Sequence, residues 1–257
     1  MDSVSPLWGI CRFSDIESSL IECRAKSRLP ENASSIIVAC FPYLLPEEEY
    51  KNSNISKYAV VTDYHDVALS RLRKACDELS VAFPENKFVP FADNSPVPEV
   101  SAALYAGLGV RGKNTLLITE KYGSFVFIGE IVTDLVIDSD KPTVRNCTDC
   151  GRCSRECPAH AITENGIDSE KCISAITQKK GELTEEEKKL MKKCGCVWGC
   201  DVCQDVCPMN INAAFTQIEE FLQSAVPVLC EDTDISERAY AWRGRKVIDR
   251  NLSISGE

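Results

Sequence analysis

Ten cysteines lie between residues 147 and 207, and their spacing constrains the chain more than any other feature. Cys147, Cys150, Cys153 and Cys157 follow C-x2-C-x2-C-x3-C, with Pro158 after the last. Cys200, Cys203 and Cys207 repeat the second half of that pattern, followed by Pro208. In such a run three cysteines ligate one [4Fe–4S] cube and the fourth reaches across to a second cube. Two clusters are therefore expected. Crosswise sharing gives Cys147, Cys150, Cys153 and Cys207 to the first. Cys157, Cys200 and Cys203 go to the second, with either Cys172 or Cys196 completing it. A zinc ribbon would pair two C-x2-C knuckles and leave the third cysteine, the x3 step and the proline unexplained.

Disulfides are the other use for 15 cysteines. The opening residues, MDSVSPLWGICRF, lack a basic start followed by an apolar run, so no secretory signal is read there. Ser124–Ile137 is the most apolar stretch, but Glu130 and Asp134 interrupt it and it is too short to span a bilayer. A cytoplasmic chain with no membrane partner is expected, in which thiols bind metal. The net charge of −10 opposes broad association with polyanions, although Arg243, Arg245 and Lys246 form one local basic stretch.

Before the cysteines the chain alternates helix and strand signals. Residues 14–29 are expected to be a helix capped by Ser14 or Asp15. Residues 35–41, SIIVACF, form a buried strand. A helix starts near Asp63 with Leu69, Leu72, Cys76 and Leu79 on one stripe. Strands are expected over 87–91, 114–119 and 124–134, and a helix ends near Ala106. Thr184 and Glu187 form a capping box. Helices are expected over 213–223 and 236–250, the second weakened by Gly244.

Two motifs invite stronger readings. Gly107, Gly109 and Gly112 match G-x-G-x-x-G, but a helix precedes them and a strand follows, the reverse of a dinucleotide site. They fit better as a tight loop that a flat ligand can approach. Asp63, Tyr64 and His65 begin like the D-x-H-x-x-G of corrinoid proteins, with Ala68 in the glycine position. As local structure, Asp63 is a helix cap. His160, the other histidine, follows Pro158 as an exposed or supporting residue.

The α/β segment is far larger than electron carriage alone requires, so the clusters are expected to feed a reaction there. A two-cluster electron-transfer protein that docks a partner enzyme and binds no corrinoid is the alternative. FADNSP, AGLGVRGKNTLLI, GSFVFIGEIVTDL, CTDCGRCSRECP, KCIS and GCDVCQDVCPMN occur in the order seen in epoxyqueuosine reductases, which the chain resembles over roughly residues 35–250. It departs from the family pattern at Val100, Val110 and Asn114.

The resemblance implies an α+β fold. A corrinoid-binding-like α/β domain would occupy residues 1–141, a ferredoxin-like double-cluster domain 142–211, and a short helical tail 212–257. It implies a cobalamin-dependent iron–sulfur reductase acting on epoxyqueuosine or a related oxygenated substrate. It favours Cys172 as the eighth ligand, makes Asp93 the acid that protonates the opening oxygen, and points to Tyr64, His65, Gly107, Gly109, Gly112 and Lys113 around the cofactor. As a plain turn residue, Asp93 would merely cap the bend before Pro96. The implied partners are an electron donor (ferredoxin, flavodoxin or a flavin reductase) and tRNA, the latter set against the chain's acidity.

Overall fold

The computed structural model describes residues 1–142 and 146–256, so residues 143–145 of the expected cluster domain and Glu257 of the expected tail lie outside it. Its centre is a four-stranded sheet in the order β1 (Leu7–Arg12), β2 (Ser35–Pro42), β6 (Val126–Thr133), β3 (Phe88–Ala92), antiparallel at every pairing. Every residue of β2 is buried. The reason is that both faces of the sheet are covered, which turns the usual alternation into a continuous apolar run.

Alternate side chains of β2 divide between two cores. Ile37, Ala39 and Phe41 meet Ala68, Leu72 and Cys76 of α2 (Tyr64–Ala82), the long helix that follows the one-turn α1 (Lys57–Val60). Ile36, Val38 and Cys40 meet Ala102 and Ala103 of α3 (Glu99–Tyr105) on the opposite face. The α2 stripe read from sequence is thus the packed one, and Asp63 caps it by accepting from the His65 N–H at 3.0 Å.

The short strands β4 (Val110–Arg111) and β5 (Leu117–Ile118) pair with each other. The expected 114–119 strand is reduced to β5 and does not pair with β6 in a simple hairpin. Three 3-10 turns at 13–15, 17–19 and 24–28 replace the expected helix over 14–29. Their apolar residues serve as separate anchors, with Phe13, Ile16 and Ala25 buried in the α3-side core. The β1 strand was not expected; its run alternates too little to stand out.

In the cysteine-rich segment, α4 (Arg152–Glu156) packs on α7 (Val202–Asp205), beside a hairpin of β7 (Ile162–Thr163) and β8 (Gly166–Ile167). The short α5 (Ile173–Thr177) packs on α6 (Glu185–Cys194). The capping box of α6 is complete.

After residue 211 the chain returns to the α2 side of the sheet, where Ile218, Phe221, Leu229, Tyr240, Val247 and Ile248 join the same core. Of the helix expected over 213–223 only α8 (Glu219–Leu222) forms. Gly244, at φ 79°, ends a 3-10 turn and delays the last helix, α9 (Arg245–Gly256). Fully buried Asn251 pins α9 to the cysteine-rich segment through its amide, which donates to the Thr177 and Val197 carbonyls at 2.7 and 2.8 Å. Among the described residues no helix is long and apolar enough to cross a membrane.

Candidate active site and cluster cavities

The loop after β3 presents Asp93 with its side chain 63% exposed and its backbone left-handed at φ 58°. Aspartate is one of the few residues that tolerates that conformation. The Asp93 N–H donates to Glu99 Oε1 at 2.9 Å, which ties the loop to the first residue of α3. His65 reaches the other side of Asp93, with Nε2 3.1 Å from Oδ2. Its Nδ1 lies 2.6 Å from Asp63 Oδ1, so the imidazole is clamped between two carboxylates. The Tyr64 ring stacks on Phe127 at 3.9 Å and on His65 at 4.0 Å, fixing the plane of the clamp.

These contacts set the proton balance. Burial alone would depress His65, but bonds and charge from Asp63 and Asp93 outweigh it and push the imidazole up to about 9. Burial works to raise Asp63, yet the His65 bonds hold it below the usual carboxylate range. Burial, then the Asp93 charge, push Glu99 up to about 8. Beneath it Glu130 of β6 is 0% exposed, and neither carboxylate oxygen has a hydrogen-bond partner of good geometry. Burial, then the Glu99 charge, hold Glu130 well above the usual range.

The cysteines line two cavities. Cys147, Cys150, Cys153 and Cys207 border one, together with Gly112, Lys113 and Asn114. Cys157, Cys172, Cys200 and Cys203 border a second, walled by Pro158, Ala161, Ile162, Ile167 and Ile173. Four soft thiols around a volume, with apolar walls in the second cavity, suit an iron–sulfur cube. Among the described residues no three His, Cys, Asp or Glu side chains converge closely enough for a single ion. Cys196 lies outside the second cavity's lining; its sulfur is 3.5 Å from Cys194, which is in turn 3.7 Å from Cys200.

The glycine loop joins the two regions. A Cβ at Gly109 would sit 2.4 Å from the Ile118 carbonyl, and one at Gly112 would sit 2.2 Å from Asn114 Oδ1. Close approach within the chain is thus one reason for these glycines. Gly107 and Gly109 also line a cavity of about 260 Å³ with Val110, Glu120 and Met209, two residues past Cys207. Lys113 spans to the cysteine-rich segment, pairing with Asp149 at 3.4 Å and Glu164 at 3.0 Å. Asn114 lines the first cavity and also acts on Cys203 of the second, so the loop reaches both cluster cavities.

Tyr64, His65 and Asp93 therefore come together, Gly112 and Lys113 join the cysteines, and Gly107 and Gly109 stand apart. Sequence reasoning missed Glu99, Glu130 and Asn114. Glu130 left a signal, since it is an acid inside an otherwise apolar strand. Glu99 left none, because a glutamate opening a helix is ordinary.

Comparison with known proteins gives the following. Residues 146–210 match the 4Fe-4S double cluster binding domain, and residues 24–94 match the family described as epoxyqueuosine reductase QueG, DUF1730. The chain accordingly carries a double [4Fe–4S] domain. An epoxyqueuosine reductase of Lactococcus garvieae is 34% identical over 80% of this chain and 62% of its own length. That of Listeria monocytogenes is 34% identical over 94% of this chain and 69% of its own.

The epoxyqueuosine reductase structure from Streptococcus thermophilus aligns with a TM-score of 0.77 at 25% identity, covering 96% of this chain and 76% of that one. An epoxyqueuosine reductase bound to a tRNA-Tyr stem loop carrying epoxyqueuosine aligns at 0.81 and 23% identity, covering 99% and 78%. The reductive dehalogenase NpRdhA shares the fold at 0.52 and 17% identity, covering 98% and 34%. The chain spans about half to two thirds of the length of the first of these curated relatives. On the sequence match over more than two thirds of the Listeria protein, this chain belongs to the epoxyqueuosine reductase family.

Proposed function

We propose that this chain is an iron–sulfur reductase that opens the epoxide of epoxyqueuosine in a tRNA stem loop, with Asp93 as proton donor. One observation carries the reading: an exposed carboxyl, held in a left-handed turn, shares a contact with a histidine that keeps its proton to about pH 9. That couple holds a deliverable proton at neutral pH, as a general acid must. The loop then aims it outward, where a nucleoside can meet it.

Cys147, Cys150, Cys153 and Cys207 would hold one ferredoxin-like cluster, and Cys157, Cys172, Cys200 and Cys203 the other. The corrinoid-binding reading of the N-terminal body rests on α3, whose rise of about 10 Å separates the Asp93 loop from the Gly107–Val110 cavity. A flat macrocycle needs an extended bed of that kind, and Gly107, Gly109, Tyr64 and His65 would border it. When bound, the clusters would supply electrons singly and cobalamin would deliver them to the substrate as a pair. A ferredoxin, flavodoxin or flavin reductase would provide those electrons. Arg243, over the exposed Trp242 ring at 3.8 Å, offers a stacking and phosphate contact for RNA despite the acidic net charge.

The test is anaerobic reconstitution with iron, sulfide and cobalamin, followed by turnover of an epoxyqueuosine stem loop. Corrinoid absorbance that stays with the protein, and product formation lost in Asp93→Asn, are expected. Asparagine tolerates the same left-handed backbone, so the variant keeps the loop. A protein that retains eight irons but no corrinoid, and is indifferent to Asp93→Asn, would be an electron carrier instead.

A further inference from the structure

Two-electron reduction of an epoxide takes up two protons, whether the product is an alkene and water or an alcohol. The Asp93–His65 couple accounts for the first. The second has to arrive while a macromolecular substrate covers Asp93, the side from which water would otherwise supply it. Behind Asp93, on the α3 side of the sheet, stand two acids that no other part of the fold uses. Glu99 accepts the Asp93 N–H at 2.9 Å and keeps some exposure. Glu130 is fully buried among Ile128, Val132 and Val38, with neither oxygen in a hydrogen bond of good geometry.

An ionised, unpaired carboxylate in such a place is prohibitively costly, so Glu130 is neutral. Two carboxyls in electrostatic contact also resist losing both protons. Burial and the Asp93 charge push Glu99 up to about 8, so it too is protonated at neutral pH. The groups facing the pair are few. Asp93, His65 and Tyr64 lie on its open side. Cys40 of β2 and Cys11 of β1 lie beneath, both pushed up to about 12, chiefly by burial. Ser95 is the one hydroxyl that acts on Glu130. Among the described residues His65 is the one cation that acts on Glu99, and its charge partly opposes the rise there.

We propose that Glu99 and Glu130 form a buried proton store behind Asp93 that supplies the second proton of each turnover. This rests on the assignment of Asp93 as the acid. The first proton passes from His65 through Asp93 to the oxygen leaving carbon, which leaves the imidazole neutral and Asp93 a carboxylate. Glu99 passes its proton to that carboxylate, and Asp93 delivers it as the second. Glu130 shares its proton with the Glu99 carboxylate, so that no bare carboxylate is left buried, and His65 and the pair, which carries one negative charge, each regain a proton from water once product departs. The two electrons come through the clusters, so charge balances. Both glutamates act through Asp93 and are positioning residues.

The experiment compares wild type, Asp93→Asn and Glu130→Gln as reconstituted holoenzymes on the epoxyqueuosine stem loop. Glu130→Gln replaces a neutral acid with a neutral amide of the same shape, and an unchanged unfolding midpoint verifies its fold. Its kcat is expected to fall about a hundredfold. The fall of kcat at alkaline pH, centred near 8 in wild type, should move to lower pH, and small carboxylic acids in the buffer should restore part of the rate. Infrared spectra of the folded protein at pH 7 should contain a protonated-carboxyl carbonyl band that Glu130→Gln weakens. Wild-type kcat and pH profile in Glu130→Gln, with Asp93→Asn inactive, would overturn the store and leave the acid assignment standing. Absence of the infrared band would also overturn the store. Full turnover by Asp93→Asn would remove the acid assignment and the store together.

Discussion

The cluster cavities and the carboxylate site around Asp93 both gather reactive groups, but the chain assembles them differently. Cys147, Cys150, Cys153 and Cys157 come from one short stretch, and their spacing alone brings them to cavity walls. Asp63, Asp93 and Glu130 come from a helix start, a loop and the middle of a strand, and only the folded sheet brings them together. The first site depends on local geometry and the second on packing. Each should therefore fail in its own way.

The largest effect is expected at the cysteines. Cys203→Ser should remove the second cluster, lower bound iron from about eight to about four per chain, and abolish turnover. The sheet should survive, because Cys203 belongs to neither of the two cores on its faces. Iron and sulfide assays with far-ultraviolet circular dichroism check both halves. Loss of all eight irons would mean that the Gly112–Asn114 loop, which touches both cavities, couples their assembly.

That contrast also explains what could be read beforehand. Fixed spacings of cysteine have a chemical meaning at sequence level, so the two clusters and the candidate ligands were legible. So were β2, α2 and its Asp63 cap, where composition and periodicity agree. The Glu99–Glu130 pair was not, because it exists only through the pairing of β6 with β2 and β3 and the seat of α3 above them. The turns over 13–28 failed for a related reason: Phe13, Ile16 and Ala25 are anchors placed by the core, and their spacing imitates a helix.

A middle-sized effect is expected at His65. The folded protein holds its proton to about pH 9, against 6.5 for a free imidazole. Between those values the folded state binds more protons than the unfolded one, so this contribution is complete below pH 6.5 and is lost as pH rises through 9. His65→Asn should flatten that slope, with a stability loss on the order of 1–2 kcal/mol at pH 6 after allowance for solvent screening. Turnover should fall about tenfold, since Asp93 keeps its loop through Glu99. Denaturant titrations at pH 6, 7.5 and 9 test the sign. A loss that grows with pH would mean the imidazole is neutral and the two-carboxylate clamp is wrongly assigned.

The smallest effect should come from a place that serves neither site directly. Thr184 caps α6, with its hydroxyl accepting from the Glu187 N–H at 3.3 Å while Glu187 Oε2 accepts from the Thr184 N–H at 2.8 Å. Thr184→Ala removes one bond of the box and should cost about 1 kcal/mol. The change should be felt in amide exchange along α6 more than in global unfolding, because α6 buries only Met191 in a small core with Ile176, Leu183 and Ile254. Iron content and turnover should not move. This outcome is informative because α6 ends at Cys194, whose sulfur is 3.7 Å from Cys200. If iron content falls with the cap, α6 is part of the wall that holds the second cluster, and the cysteine site depends on packing as the carboxylate site does.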